Sequence, residues 1–278
     1  MIPYGEPLDS GFWGTPTSTI DWCEENYVVT YYLAEAVNTV TNAFFMILAG
    51  YSLRNVMRNG METRFVLCTL GFMLVGLGSW LFHMTLKYHF QLLDELPMIY
   101  TTCIPVWFSF SYSKGRRYEN ICAWIIFAGA MTLTVIYLVF RNPTIHQAAY
   151  GALNVTIIIK NVRLVYSTIK DKAALSNLNW TLVLGVSELL FAWFLWNMDI
   201  HFCDYWRSWR RSIGLPWGML LEGHGWWHLF TGLGVYSYLI YLEYLRAFQL
   251  GLEKKYVFVW KFGFLPVIEL SDEAKRLS

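Results

Sequence analysis

Three histidines, His83, His224 and His228, lie inside otherwise apolar stretches long enough to cross a membrane. Ser79 precedes the first by one helical turn, and Asp94 follows it by eleven residues. Polar and ionisable side chains are expensive in hydrocarbon, so their presence there marks a functional site by default. Three neutral imidazoles with a fourth position left to water are also the ligand set of a catalytic zinc ion.

The chemistry of such a site follows from its parts. Zinc lowers the pKa of a bound water to about 7 and polarises a carbonyl oxygen. Asp94 is placed to take the water proton as general base and return it to a leaving amine as general acid. Ser79 could donate a hydrogen bond to the oxyanion. The reaction is then hydrolysis of an amide or ester at the bilayer boundary. A lone histidine in an apolar helix is more often a hydrogen-bonded core residue than a ligand. Here, however, the i, i+4 spacing of His224 and His228 puts both on one helix face, and His83 belongs to a segment ending at the same membrane side. His89, His146 and His201 fall at segment ends and read as interfacial.

A second set of ligand-type residues precedes the first apolar stretch. Asp21, Glu24, Asn26 and Glu35, with the main-chain carbonyl of Trp22, offer hard oxygens of the kind calcium takes. The spacing is not that of an EF-hand, and a solvated acidic cap over the first helix accounts for the same residues.

The elements that must position these groups are membrane helices. The chain has 278 residues, 56% of them hydrophobic and only 15% charged, a deficit that points to lipid as the solvent. Its 14 Trp, 18 Tyr and 19 Phe suit interfacial belts and helix packing. A net charge of +1 argues against a nucleic-acid partner. Seven segments of spanning length are expected: 34–53, 65–86, 92–112, 120–140, 144–167, 180–201 and 217–244. The third carries Asp94, Glu95 and Pro97 in its first turns. No cleavable signal peptide is read at the N-terminus.

Sixteen of the 21 lysines and arginines fall on the side opposite the N-terminus or in the C-terminal tail, against five on the N-terminal side. The positive-inside rule then places the N-terminus in the lumen or outside, and the C-terminus in the cytosol. The chain thus reads as an all-α membrane protein in three parts. Residues 1–33 form a lumenal segment with the acidic cluster, 34–244 a seven-helix catalytic domain and 245–278 a cytosolic tail. Cys23 and Cys203 both fall on the oxidising side, so a disulfide between them is allowed. Cys68, Cys103 and Cys122 lie in apolar segments as packing residues. The sequons at Asn154 and Asn179 fall in a helix and a cytosolic loop, and neither should carry sugar.

With these residues laid out, the sequence resembles the alkaline ceramidase family. The resemblance is carried by Ser18-Thr-Ile-Asp-Trp-Cys-Glu-Glu-Asn-Tyr27, Gly78-Ser-Trp-Leu-Phe-His-Met-Thr-Leu-Lys-Tyr88, Gln91-Leu-Leu-Asp-Glu-Leu-Pro-Met98 and His224-Gly-Trp-Trp-His-Leu-Phe-Thr-Gly-Leu-Gly234. It implies a seven-helix hydrolase of the endoplasmic reticulum or Golgi membrane that splits ceramide, phytoceramide or dihydroceramide into a sphingoid base and a fatty acid. It implies zinc on His83, His224 and His228, with Ser79 and Asp94 assisting catalysis. It also implies a structural calcium on Asp21, Trp22, Glu24, Asn26 and Glu35, and a Cys23–Cys203 pair. The subgroup most similar prefers long unsaturated acyl chains. Beyond the lipid substrate, no protein partner is inferred. The competing reading is a seven-helix lipid receptor with a structural zinc, which would bind lipid without turning it over.

Overall fold

The computed structural model describes residues 2–277. Seven long helices occupy the seven expected segments: α1 (Ala36–Arg58), α2 (Thr63–Thr85), α3 (Tyr88–Ser111), α4 (Arg116–Phe140), α5 (Pro143–Thr168), α6 (Lys172–His201) and, after a short helix α7 (Cys203–Ile213), α8 (Gly223–Gln249). Of these, α1, α2, α4 and α6 are long and apolar enough to cross a membrane by length and composition. A 3₁₀ turn, Trp217–Leu221, occupies the start of the expected seventh segment, so α8 begins later than the hydropathy suggests. Pro97 lies within α3 without ending it.

Two features lie outside the seven expected segments, and the first departs from the all-α expectation. A hairpin forms in the C-terminal tail, with β1 (Tyr256–Lys261) antiparallel to β2 (Leu265–Leu270) and Trp260 opposite Pro266. A final short helix, α9 (Asp272–Leu277), follows it. The second addition is α7, whose charged and aromatic residues alternate at helical spacing in a segment too polar to span.

The chain divides into two compact units. The first takes in residues through Leu48, Phe72–Pro97 and Glu188–Leu233; the second takes in Ala49–Gly71, Met98–Ser187 and the residues from Gly234 onward. In the first, the irregular N-terminal segment is pinned by backbone pairing. The amides of Ala34 and Glu35 bond the carbonyls of Met84 and His83, each at 3.0 Å, and those of Thr17 and Ser18 bond Leu86. Trp22, Tyr27, Ala34, Phe82 and Leu86 form an apolar cluster beneath it. The disulfide Cys23–Cys203 joins this segment to α7. From α7, the buried Arg210 pairs with Glu222 and donates to the Cys23 carbonyl at 2.8 Å.

In the second unit, α4 buries only Ala130 and Tyr137 and leaves Trp124, Ile125, Val139 and Phe140 exposed, the distribution of a lipid-facing helix. A buried polar relay ties the interior: Ser109 donates to Asn161 at 2.8 Å, and Asn161 donates to the Tyr238 hydroxyl at 2.7 Å. The hairpin buries Val267 and Ile268, and the Asn59 amide at the end of α1 donates to the Ile268 carbonyl at 2.8 Å.

Candidate metal centre

The three histidines converge within the first unit. One ring nitrogen from each of His83, His224 and His228 lies within 4.8 Å of the others, and all three residues are buried. Ring centroids are 4.7–5.1 Å apart. Among the described residues, this is the one group of three or more His, Cys, Asp or Glu side chains close enough to share a metal ion.

Hydrogen bonds fix how the rings face. His83 Nδ1 bonds the Glu35 carboxyl group, which ties up that nitrogen and leaves Nε2 facing the cluster. The Thr41 hydroxyl donates its single hydrogen to the Val37 carbonyl at 2.8 Å. Its oxygen is also 2.9 Å from His228 Nδ1, and this contact with the ring's near nitrogen leaves Nε2 facing the cluster. His224 stacks on Trp22 at 4.1 Å, and its Nδ1 is buried without a hydrogen-bond partner. Orienting a histidine through its far nitrogen is what metal sites do to hold a ligand. The donor set therefore fits a borderline-soft ion such as zinc.

Close helix approach builds the rest. Gly78 on α2 faces the α3 backbone, and a Cβ there would overlap the Leu93 carbonyl. That contact sets Asp94 beside Ser79, and the two side chains are hydrogen-bonded. Ser79 and His83 share one face of α2, so the carboxylate stands one turn from a histidine of the cluster. On α8, a Cβ at Gly225 would come within 2.9 Å of the Val37 side chain, and the missing atom lets His228 reach Thr41.

Glu24 and Glu35 are buried next to this centre, whereas Asp21 is exposed and, among the described residues, the three carboxylates do not come close enough together to share a metal ion. Glu24 accepts from the amides of Val37 and Asn38 at 2.7 and 2.8 Å, capping the N-terminus of α1. Glu35 is fully buried; one oxygen serves His83 and Asn38, and the other has no partner. Asn26 Oδ1 is a further buried acceptor without a donor. Burial, with the Glu35 carboxylate adding to it, pushes Glu24 up to about 8. A cation among these oxygens would relieve both the orphaned acceptors and the repulsion. The donor set is all oxygen, which suits a hard ion such as calcium.

Several groups were not singled out from the sequence: Thr41, the Trp22 ring, the bond from Glu35 to His83, and Asp199, which accepts from the Gly223 amide at 3.0 Å at the start of α8. A signal existed for the first. Glu35, Asn38, Thr39 and Asn42 are buried polar residues at helical spacing in an apolar segment.

The fold and the cluster define a class: a helical membrane protein with a buried three-histidine centre able to hold a metal ion. Comparison with known proteins narrows it. The ceramidase family model matches residues 14–269, so the chain belongs to the ceramidase family. It is 44% identical over 276 residues to alkaline ceramidase YPC1 of Saccharomyces cerevisiae, covering 95% of this chain and 87% of the relative. Alkaline ceramidase 3 of Mus musculus is 38% identical over 270 residues, covering 96% and 97%. Alkaline ceramidase of Arabidopsis thaliana is 29% identical, covering 94% and 96%.

Proposed function

We propose that the protein is an intramembrane amidohydrolase that cleaves the N-acyl bond of ceramide to a sphingoid base and a fatty acid, using zinc on His83, His224 and His228. The observation that carries this reading is the three-histidine cluster standing one helical turn from the Ser79–Asp94 pair, in a member of the ceramidase family. Zinc held there would supply Lewis acidity toward the amide carbonyl and make water a competent nucleophile near neutral pH.

The chain's own groups do the remainder. Asp94 accepts a proton from the attacking water and delivers it to the departing nitrogen, so the amine leaves neutral rather than as an amide anion. Ser79 donates to the Asp94 carboxylate and holds it in place; once Asp94 carries the proton taken from water, the Ser79 hydrogen is free to turn to the developing oxyanion. Glu35 and Thr41 keep the His83 and His228 rings aimed. The apolar helices around the site limit water to what the reaction consumes. Calcium, bound through Asp21, the Trp22 carbonyl, Glu24, Asn26 and Glu35, would stiffen the segment that orients His83.

The membrane arrangement belongs to the same reading: seven spans, α1 to α6 and α8, with the N-terminus lumenal and the C-terminus cytosolic, in the endoplasmic reticulum or Golgi. The resemblance to the long-chain and phytoceramide-accepting subgroup supports acceptance of phytoceramide and dihydroceramide as well.

The test is fatty-acid release from ceramide by purified protein, before and after zinc chelation, with Asp94→Asn alongside. Turnover should vanish on chelation, return with zinc, and fall about 10²–10⁴-fold in the variant while the zinc content stays unchanged. Ceramide binding without turnover under every metal condition would replace the hydrolase by a receptor.

A further inference from the structure

A cavity of about 110 Å³ lies in the second unit, between the last turns of α1 and the C-terminal hairpin and helix. Arg54 and Arg58, one helical turn apart on α1, form one wall, and Lys261 and Lys275 come from the tail. Asn55 also lines it, with a buried Nδ2 donor that has no acceptor. Glu269 is the lone carboxylate in the lining, and Lys261 holds it at 2.9 Å. Neither arginine has a hydrogen bond or close ion pair among the described residues; Glu269 acts on Arg58 only at longer range.

Lys261 and Lys275 are each paired with a carboxylate, Glu269 at 2.9 Å and Asp272 at 3.2 Å, which leaves the two arginines as the cations without a close counter-charge. An anion in the cavity would complete both these arginines and the unpartnered Asn55 donor. The walls are also fixed before any ligand arrives. Asn59 bonds Ile268 at 2.8 Å, Tyr256 donates to the Asn59 carbonyl at 3.1 Å, and Tyr51 braces Lys261 at 3.2 Å. Two guanidiniums with two ammoniums and an amide form a donor set for the oxygens of a phosphate. The position matters too, because basic clusters directly beyond the end of a membrane helix attract anionic headgroups.

We propose that this cavity is a binding site for a phosphate-bearing anion, supplied by the headgroup of an acidic phospholipid at the bilayer edge. The site shares no residue with the histidine centre and stands whether or not the hydrolase reading does. Headgroup binding would tie the C-terminal tail to α1 and make the stability of the protein depend on the lipid around it.

The experiment is native mass spectrometry of the full-length detergent-purified protein with phosphatidylinositol bisphosphate, phosphatidylcholine or soluble inositol trisphosphate. Wild type should retain the bisphosphate lipid and not phosphatidylcholine. Arg54→Gln/Arg58→Gln should weaken that retention by about tenfold or more, and Arg116→Gln/Arg117→Gln, outside the cavity, should not. If inositol trisphosphate binds as tightly as the lipid, the phosphate site stands and its occupant is a soluble phosphate. No retention of either ligand by wild type, or retention undiminished in the double variant, overturns the proposal. Should the double variant melt below wild type, Lys275→Gln on the opposite wall provides the same readout.

Discussion

Glu35 joins two kinds of chemistry at one side chain. One oxygen bonds His83 Nδ1, and the other is a buried acceptor among the acidic residues of the N-terminal segment. Glu35→Gln keeps the shape but removes the charge that makes His83 a stronger ligand. Loss of such a partner typically costs 10–100-fold in metal affinity, so competition with a chromogenic chelator should show zinc leaving at about that much lower chelator concentration. Thr41→Val removes an uncharged partner from His228 and should weaken zinc less. Equal zinc affinity in wild type and Glu35→Gln would mean that the bond to His83 does not tune the metal. The same substitution should also abolish thermal stabilisation by added calcium, whereas Thr41→Val should preserve it.

At the scale of elements, the contact of α2 with α3 decides where the carboxylate stands. Gly78→Ala would drive a methyl into the Leu93 carbonyl, which is backbone and cannot rotate away. Overpacking of this kind costs about 1–3 kcal/mol, so the melting temperature should fall by several degrees. Turnover should fall further than stability does, since Asp94 would be moved from Ser79 while the histidines keep their places on α2 and α8. Zinc content near wild type with turnover sharply lost is the expected pattern; normal turnover would show that the spacing of the two helices is not critical. The helices themselves were legible in the sequence, because long apolar runs have few alternatives to a helix in lipid. His83, His224, His228, Ser79 and Asp94 were legible for the same reason, as polar residues standing out in those runs. Thr41 was not, since its bond to His228 spans 187 residues and depends on a glycine contact. Nor were α7 and the hairpin, which lie outside the spanning segments and whose pairing is set by packing against other parts of their own units.

For the whole molecule, the most informative constraint is the link from Cys23 to Cys203, which closes a loop of 180 residues. Cross-links over loops that long stabilise by several kcal/mol, about 4–5 in the chain-entropy account. Cys23 sits between Trp22, which stacks on His224, and Glu24, which caps α1. Reduction should therefore reach the centre as well as the fold, lowering the melting temperature and zinc retention together. A Cys23→Ser/Cys203→Ser variant that keeps both would restrict the bond to a bystander role. The link also constrains topology, because such a bond persists in an oxidising compartment and requires residues 23 and 203 to share one side of the membrane. The proposed orientation puts the basic residues at the end of α1 and in the tail on the opposite side, where positive charge accumulates. An acceptor sequon engineered ahead of Asp21 should be glycosylated in cells, and one appended after residue 278 should not. The natural sequon at Asn179, near the start of α6, should stay bare. A glycan found there would invert α6 and, with it, the side assigned to Cys203, so the disulfide and the orientation stand or fall on the same measurement.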